Sequence, residues 1–189
     1  TLHLIDHMGL GGAQRVVIAL LCLDDHRAHA LSKSKKSIHS HQDCTVTERF
    51  SIVNLRCLKD VYQKIRKNDV DYIHCHMPVS KVVGVIIALR NDDIKIIFHE
   101  HGSIYRHWFI YNIFMRVSDN WVQKHISVSY KGKELLKETG VRDEKISVIR
   151  NFADIDRYEE DKIKEFEPNQ DQSFGKSYFK VGYAGRITS

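Results

Sequence analysis

A glycine-rich turn between a strand and a helix decides the fold of this chain. Residues 9–15 read Gly-Leu-Gly-Gly-Ala-Gln-Arg, and they lie between an apolar run, Leu2 to Ile5, and a helical run, Val16 to Leu23. The first amides of a helix lack internal partners, the helix dipole is positive at that end, and glycines let a ligand approach the backbone. The stretch predicts either a phosphate-binding loop or a turn that only reverses the chain. It is not a dinucleotide fingerprint, because Gln14 stands where glycine or alanine is required.

Strand-like apolar runs alternate with helical stretches almost from end to end. The predicted strands are Leu2 to Ile5, Phe50 to Leu55, Val70 to Cys75, Ile94 to Phe98, Ile126 to Val128 and Ile146 to Ile149. The predicted helices are Ala13 to Leu23, Leu58 to Lys67, Val79 to Leu89, Tyr105 to Val117 and Tyr130 to Thr139. This alternation predicts an α/β fold, a Rossmann-like doubly wound parallel sheet with ligand loops at the carboxyl ends of its strands. Ala28 to Glu48 is polar and serine-rich, so we expect a loop there with at most short strands.

The composition changes after Asn151. Residues 154–177 are charged and polar, and Tyr178 to Tyr183 reads as a new strand with only a few residues after it. We therefore expect a Rossmann-like domain over residues 1–153, a linker over 154–177 and the start of a second, truncated domain over 178–189.

The overall composition is that of a soluble protein with one core. The chain has 189 residues, of which 42% are hydrophobic and 28% charged. It has no apolar run long enough to span a membrane and no signal-peptide pattern at its start, so we expect a cytoplasmic protein. Four cysteines without close pairing indicate reduced thiols; they are Cys22, Cys44, Cys57 and Cys75.

Positive charge is concentrated in one segment. The net charge is +5, and much of the excess falls between Arg27 and His41. Such a segment suits phosphates, nucleic acid or an anionic lipid surface, and a solvated loop without a partner would look the same.

Histidines follow three of the predicted strands. They lie in Asp6-His7, in residues 74–78 (His-Cys-His-Met-Pro) and in residues 99–102 (His-Glu-His-Gly). One interpretation is a metal site formed by His74, His76, His99, Glu100 and His101. A second is an acid-base or hydrogen-bonding histidine beside a phosphate-bearing ligand, and a third is that the histidines only cap strands. Successive strand residues point to opposite faces and no helical His-Glu-x-x-His pair is present, so the metal interpretation is not favoured, and His101 at the turn before Gly102 is the best acid-base candidate.

One predicted helix is apolar nearly all round. Tyr105 to Arg116 contains Trp108 and Tyr111 with basic residues at intervals. A core helix and a helix that touches a membrane interface share this pattern.

Taken together, the loops resemble the amino-terminal half of a retaining glycosyltransferase of family 4, the GT-B group that uses nucleotide sugars. The matching stretches are Gly11-Gly12-Ala13-Gln14-Arg15, Asp71-Tyr72-Ile73-His74-Cys75-His76-Met77-Pro78, the strand ending in His101-Gly102, Ser127-Val128-Ser129, Val148-Ile149-Arg150-Asn151-Phe152-Ala153-Asp154 and Tyr183-Ala184-Gly185-Arg186. Two departures stand out: Gln14 replaces a glutamate and Phe152 replaces a glycine. Relatives have a lysine shortly after the position of Arg186 and a pair of glutamates further on, and this sequence ends before either.

The resemblance implies a function and a set of site residues. A hexose would pass from a nucleotide sugar to a glycan or lipid-linked acceptor, as in cell envelope polysaccharide synthesis, without a metal cofactor and without nucleic acid. Gly11, Gly12 and Arg186 would bind the donor phosphates, and His101 would contact the sugar at the reacting face. Residues that could contact the acceptor or support the site are His7, His76, His99, Glu100 and Asn151.

Three further expectations accompany this interpretation. The chain alone should transfer no sugar, because half a cleft cannot hold the diphosphate or exclude water. The protein could be peripheral at the inner face of the membrane. The alternatives are a sugar-binding or phosphate-binding GT-B module without catalysis, and a histidine-rich metallohydrolase on the same sheet.

Overall fold

The protein is described from a computed structural model, which covers residues 1–9, 11–22, 25–32, 44–46, 55–102 and 109–151. Contacts divide the chain into two units, and all described elements belong to the first, Thr1–Phe152. The described strands are β1 Leu2–His7, β2 Arg27–Ser32, β3 Cys44–Val46, β4 Tyr72–Cys75, β5 Lys95–Glu100, β6 Val122–Ser127 and β7 Ile146–Val148. They form one parallel sheet in the order β3-β2-β1-β4-β5-β6-β7.

Helices follow the strands as the sequence pattern predicts. Their bounds are α1 Gly12–Leu20, α2 Leu55–Lys67, α3 Pro78–Ala88, α4 Phe109–Ser118 and α5 Tyr130–Glu138, with a short 3-10 helix at Asp143–Lys145. The strand order reverses between β1 and β4, which is the switch point at which parallel α/β sheets open a crevice for ligands. The Rossmann-like parallel fold expected from the sequence is confirmed.

The prediction for Ala28 to Glu48 was wrong at its start. Arg27–Ser32 forms β2, which lies beside β1, and its central residues Ala28, Ala30 and Leu31 are buried. A parallel strand covered on both faces lacks the alternation of apolar and polar residues that marks a half-exposed strand, so its pattern was not recognised. The first residues of the predicted strand Phe50 to Leu55 lie outside the described part, and Leu55 begins α2.

The core lies between the sheet and its helices, and α3 packs closest at the centre. A Cβ atom at Gly84 would lie 2.6 Å from the Cys75 Sγ atom on β4, so only glycine allows this approach. Cys22, Cys44 and Cys75 are free thiols, in agreement with the expected reduced state, whereas the Cys57 side chain lies outside the description. Within the described ranges, no helix has both the length and the apolar character needed to cross a bilayer.

Candidate functional site at the carboxyl edge of the sheet

The glycine loop closes onto the end of β1 through Gln14. This side chain is buried, and its Nε2 atom donates to the His7 carbonyl at 3.1 Å and lies 3.4 Å from the His7 Nδ1 atom. The Gly9 amide also donates to the His7 Nδ1 atom, at 3.1 Å. A Cβ atom at Gly11 would lie 2.4 Å from the Gln14 Oε1 atom, so a larger residue there would displace the Gln14 side chain. Gln14 therefore holds the glycine loop against the end of β1 through its hydrogen bond to the His7 carbonyl.

Helix α1 begins without a side-chain cap. Gly11 precedes its first turn, no side chain accepts a hydrogen bond from the turn, and a Cβ atom at Gly12 would meet nothing within 4 Å. First-turn amides without a side-chain partner suit an anion. Gln14 also connects this loop to the next one, because its Nε2 atom lies 3.9 Å from the Met77 Sδ atom.

Asp6 at the end of β1 caps helix α3. Its carboxylate oxygens accept hydrogen bonds from the amides of Ser80, at 2.7 Å, and Val79, at 3.1 Å. Burial raises the pKa of Asp6, and the two backbone hydrogen bonds oppose that shift. The carboxylate lies where the helix dipole stabilises negative charge, so Asp6 has a structural role.

Six histidines gather between β1, β2, β4 and β5; we call them the histidine cluster. They are His3, His26, His74, His76, His99 and His101. Four of them form a chain of ring-to-ring hydrogen bonds. His26 Nδ1 lies 2.7 Å from His3 Nε2, His3 Nδ1 lies 2.9 Å from His76 Nε2, and His76 Nδ1 lies 2.8 Å from His101 Nε2. Because a neutral ring has one donor and one acceptor, the proton positions along this chain are coupled.

Four other nitrogens of the cluster are buried without a hydrogen-bond partner in the described part of the chain. Both ring nitrogens of His99, the Nε2 atom of His74 and the Nδ1 atom of His101 are buried and have no hydrogen-bond partner among the described residues. The His99 and His101 rings stack with centroids 3.9 Å apart, and His74 stacks on His76 at 4.3 Å. Buried polar atoms without partners cost about 1–3 kcal/mol each, so such a group needs an explanation.

The cluster is neutral at physiological pH. Burial lowers the pKa of His3 to about 3, of His99 to about 2 and of His101 to about 4, and neighbouring basic groups add to each shift. Burial also holds the pKa of His74 and His76 well below the usual range. Desolvation penalises the charged form of an imidazole, which is the physical cause of these shifts.

A second buried group, the ion-pair cluster, consists of Lys81, Glu100 and Tyr111. The Lys81 ammonium contacts the Glu100 carboxylate and donates to the Tyr111 hydroxyl at 3.0 Å, and that hydroxyl donates to Glu100 at 3.2 Å. Burial is the largest single influence and lowers the pKa of Lys81. The charges of Glu100 and Tyr111 and the hydrogen bonds to them together outweigh it, so the pKa lies above its usual value. Burial raises the pKa of Tyr111 to about 12.

The structure brings some of the predicted site residues together and separates others. His76, His99 and His101 meet in the histidine cluster, while His7 lies under the glycine loop. Glu100 is held by Lys81 on α3. Asn151 is exposed at the last described position. Arg186 lies outside the described residues.

Sequence reasoning missed His3, His26 and Lys81. The register of β1 on β4 places His3 directly beside His74. The available signal was a histidine in each of two neighbouring apolar strands, but it has meaning only once these strands are known to be adjacent. Lys81 gave no signal, because a lysine in an apolar helix reads as solvent-exposed.

A Rossmann-like sheet with a glycine loop and a histidine loop at its switch point is the amino-terminal architecture of GT-B glycosyltransferases. The Glycosyltransferase Family 4 model matches residues 3–157, and the chain belongs to this family. Among curated proteins, none matches the chain significantly by sequence.

Solved structures agree in fold. Anabaena HepE in complex with UDP and glucose is 20% identical, with a TM-score of 0.68, over 83% of this chain and 45% of HepE. The apo form of the lipopolysaccharide outer core galactosyltransferase WaaB is 15% identical, with a TM-score of 0.58, over 80% of this chain and 45% of WaaB. The UDP-N-acetylglucosamine 2-epimerase of Rickettsia bellii is 14% identical, with a TM-score of 0.53, over 78% of this chain and 44% of that enzyme. The chain thus spans less than half the length of each of these proteins.

Proposed function

We propose that this chain is the acceptor-side domain of a retaining glycosyltransferase. The enzyme would transfer a hexose from a nucleotide sugar to a glycan or lipid-linked acceptor, as in cell envelope polysaccharide synthesis. The observation that carries the proposal is the meeting of two loops at the switch point of a family 4 chain. Gln14 of the uncapped glycine loop contacts Met77, and the adjacent His76 is hydrogen-bonded to His101.

The proposed chemistry follows from the charges that develop during transfer. Cleavage of the sugar-phosphate bond places negative charge on the diphosphate and cationic character on the sugar. Fixed amides at Gly11 and Gly12 and the Arg186 guanidinium would stabilise the leaving group, and no metal is needed for this. HepE has been solved with UDP-glucose bound, which supports a nucleotide sugar as donor.

His101 is the proposed sugar-contacting residue, and its surroundings define what it must do. Its Nε2 atom is engaged by His76, and its Nδ1 atom is buried. Contact with a substrate therefore requires the ring to turn or the neighbouring loop to move. His99 lies two residues earlier at the end of β5 and serves as the matched comparison.

The test is a transfer assay on a polypeptide that joins this chain to a family 4 donor-binding domain. A panel of nucleotide sugars is offered with glycan and lipid-linked acceptors. We expect transfer with retained configuration, and a much larger loss of turnover in His101→Ala than in His99→Ala. Equal losses of turnover, or a larger loss in His99→Ala, would contradict the proposal that His101 contacts the sugar. Binding of sugars without any transfer would favour the alternative, a non-catalytic GT-B binding module.

The isolated chain provides a second arm of that test. We expect no useful turnover from the 189 residues by themselves, because a lone acceptor-side domain does not enclose the diphosphate. Robust transfer by this chain alone would contradict the proposal that a separate donor-binding domain is needed for activity.

An exposed apolar face on α4 supports contact with a membrane at its cytoplasmic face. Phe109 and Ile110 are 76% and 82% exposed, and Ile113 and Val117 lie on the exposed side as well. Tyr111 and Met115 face the core, so Tyr111 is not one of the exposed aromatic residues, and Trp108 lies outside the described residues. A lipid-linked acceptor would be reached from such a position. The basic residues Lys33, Lys35 and Lys36, which would add electrostatic attraction, lie outside the described residues.

Cosedimentation with vesicles tests this contact. We expect binding to anionic vesicles at low salt, weaker binding at high salt, and loss of binding in Phe109→Ser/Ile110→Ser. Leu89→Ser removes an exposed apolar side chain at the end of α3 and serves as the control. Failure to bind anionic vesicles at low salt would favour a soluble acceptor.

A further inference from the structure

The histidine cluster contains more imidazole nitrogens than its hydrogen bonds can use. One ring nitrogen each of His76, His99 and His101 lies within 4.8 Å of the other two. His99 is 5% exposed, and neither of its nitrogens has a partner among the described residues. A buried imidazole without a hydrogen-bond partner, with nitrogens of two other histidines this close to it, is the arrangement expected of a ligand set.

We propose that His76, His99 and His101 bind one divalent transition-metal ion of the class that prefers imidazole nitrogen, with Zn²⁺ as the representative. This inference does not rest on the proposed transferase function. Imidazole nitrogens bind such ions, whereas Mg²⁺ prefers oxygen ligands. Three protein ligands leave a further coordination position for water or a substrate oxygen. His101 is the least buried of the three residues.

The existing hydrogen bonds show how the ion would fit. His76 Nδ1 and His101 Nε2 lie 2.8 Å apart, with one proton between them. Two nitrogens on a tetrahedral zinc ion are separated by about 3.3 Å, because each Zn–N bond is about 2.0–2.1 Å. An ion can therefore replace this proton with a small separation of the two rings. The His99 ring can turn towards the same point because no hydrogen bond holds it.

The rest of the cluster supplies the outer hydrogen bonds that metal-ligating histidines require. With His76 Nδ1 on the ion, His76 Nε2 carries the proton and donates to His3 Nδ1. His3 Nε2 then donates to His26 Nδ1, so the protons of His76 and His3 both have acceptors. Such partners fix the tautomer and the orientation of a ligand.

The electrostatic surroundings also permit a cation. The three rings are neutral at pH 7 because burial lowers the pKa of each, so their lone pairs are available. The nearby Lys81 ammonium is paired with Glu100 and adds little net repulsion. The objection from the sequence was that successive strand residues point to opposite faces. It does not apply to His76 and His101, because both lie just past the ends of their strands.

The experiment measures metal binding by the 189-residue chain, produced without an oligohistidine tag and stripped with EDTA. Co²⁺ is titrated while its visible absorption is recorded, and Zn²⁺ competition is followed by calorimetry. We expect about one ion per chain, no response to Mg²⁺, and a rise in the melting temperature with Zn²⁺ that EDTA reverses. No stoichiometric binding to the unmodified chain would overturn the proposal.

Variants then locate the site. His99→Gln and His76→Gln should each weaken Zn²⁺ binding at least about 100-fold, since even loss of an outer hydrogen-bond partner costs about 10–100-fold. His3→Gln should give that smaller loss. The control is His29→Gln, a histidine of β2 that is bonded to Thr45 outside the cluster. Unchanged binding in both His76→Gln and His99→Gln, or loss of binding in the control, would place the ion elsewhere. Far-UV circular dichroism checks that each variant is folded. If a variant does not fold, the zinc-dependent rise in the melting temperature of the unmodified chain still tests the proposal.

Discussion

The end of β5 contributes to two buried polar clusters that differ in one respect. Glu100 belongs to the ion-pair cluster, where Lys81 and Tyr111 satisfy its carboxylate. His99 belongs to the histidine cluster, where several nitrogens have no partner. Successive strand residues point to opposite faces of the sheet, so the same strand end supplies both clusters. The polar groups of the ion-pair cluster therefore satisfy one another, whereas the histidine cluster has nitrogens left without a partner among the described residues.

The largest expected effect comes from breaking the ion-pair cluster. Lys81→Met leaves the Glu100 carboxylate buried without a cation, and the free energy of unfolding should fall by about 3–5 kcal/mol. Urea denaturation at pH 7, followed by circular dichroism, measures the change. Lys81→Met/Glu100→Leu should recover most of the loss because no charge is then left buried. Lys133→Met removes an exposed pair with Asp143 and should change stability little. A loss at Lys81 as small as that at Lys133 would remove the distinction between the clusters.

Acid should destabilise the protein through its buried histidines. The pKa of His101, His29 and His125 is lowered to about 4 in the fold from the usual 6.5, chiefly by burial. Unfolding therefore takes up protons between about pH 6.5 and 4, and stability falls as the pH falls through this window. Each such histidine contributes about 1.4 kcal/mol per pH unit. Urea midpoints measured at pH 7, 6 and 5 in EDTA test this, and a midpoint independent of pH would contradict it.

Tyr111→Phe is expected to have a moderate effect. It removes the hydroxyl that lies 3.0 Å from the Lys81 ammonium and 3.2 Å from the Glu100 carboxylate, while the ring stays in place. We expect a loss of about 1–2 kcal/mol in the free energy of unfolding, because a hydrogen bond to a charged group is lost but the pair survives. The same urea assay measures it. A loss equal to that of Lys81→Met would mean that the hydroxyl, and not the ion pair, holds the cluster together.

The smallest effect is expected in the histidine cluster itself. His99→Leu, in the absence of metal, should lower the free energy of unfolding by less than about 1 kcal/mol or raise it, because no hydrogen bond is lost and two buried unpaired nitrogens are removed. His125→Leu is the matched comparison, since its Nε2 atom is bonded to Asp119 at 3.1 Å, and it should cost about 1–3 kcal/mol. A larger loss at His99 than at His125 would show that the histidine cluster is held together by its stacking.

The candidate site was only partly predictable from the sequence. His76, His99 and His101 were recognised because they follow apolar strands, and the carboxyl ends of parallel strands share one edge. His3 and His26 were missed, because their contact depends on which strands are neighbours and in which register. Glu100 was recognised as a polar residue at that edge, yet its pairing with Lys81 on α3 is a contact between elements that no local pattern reveals.

Local sequence patterns were enough to predict the alternation of strands and helices, the glycine turn before α1 and the family. These properties follow from local periodicity and from residue types that fix backbone geometry. Contacts between distant segments were needed to show that Arg27–Ser32 is a buried strand inside the sheet, that Gln14 closes the glycine loop, and that six histidines meet. The physical reason is that burial and proximity are set by packing between distant segments, and it is burial without partners that distinguishes the histidine cluster from the ion-pair cluster beside it.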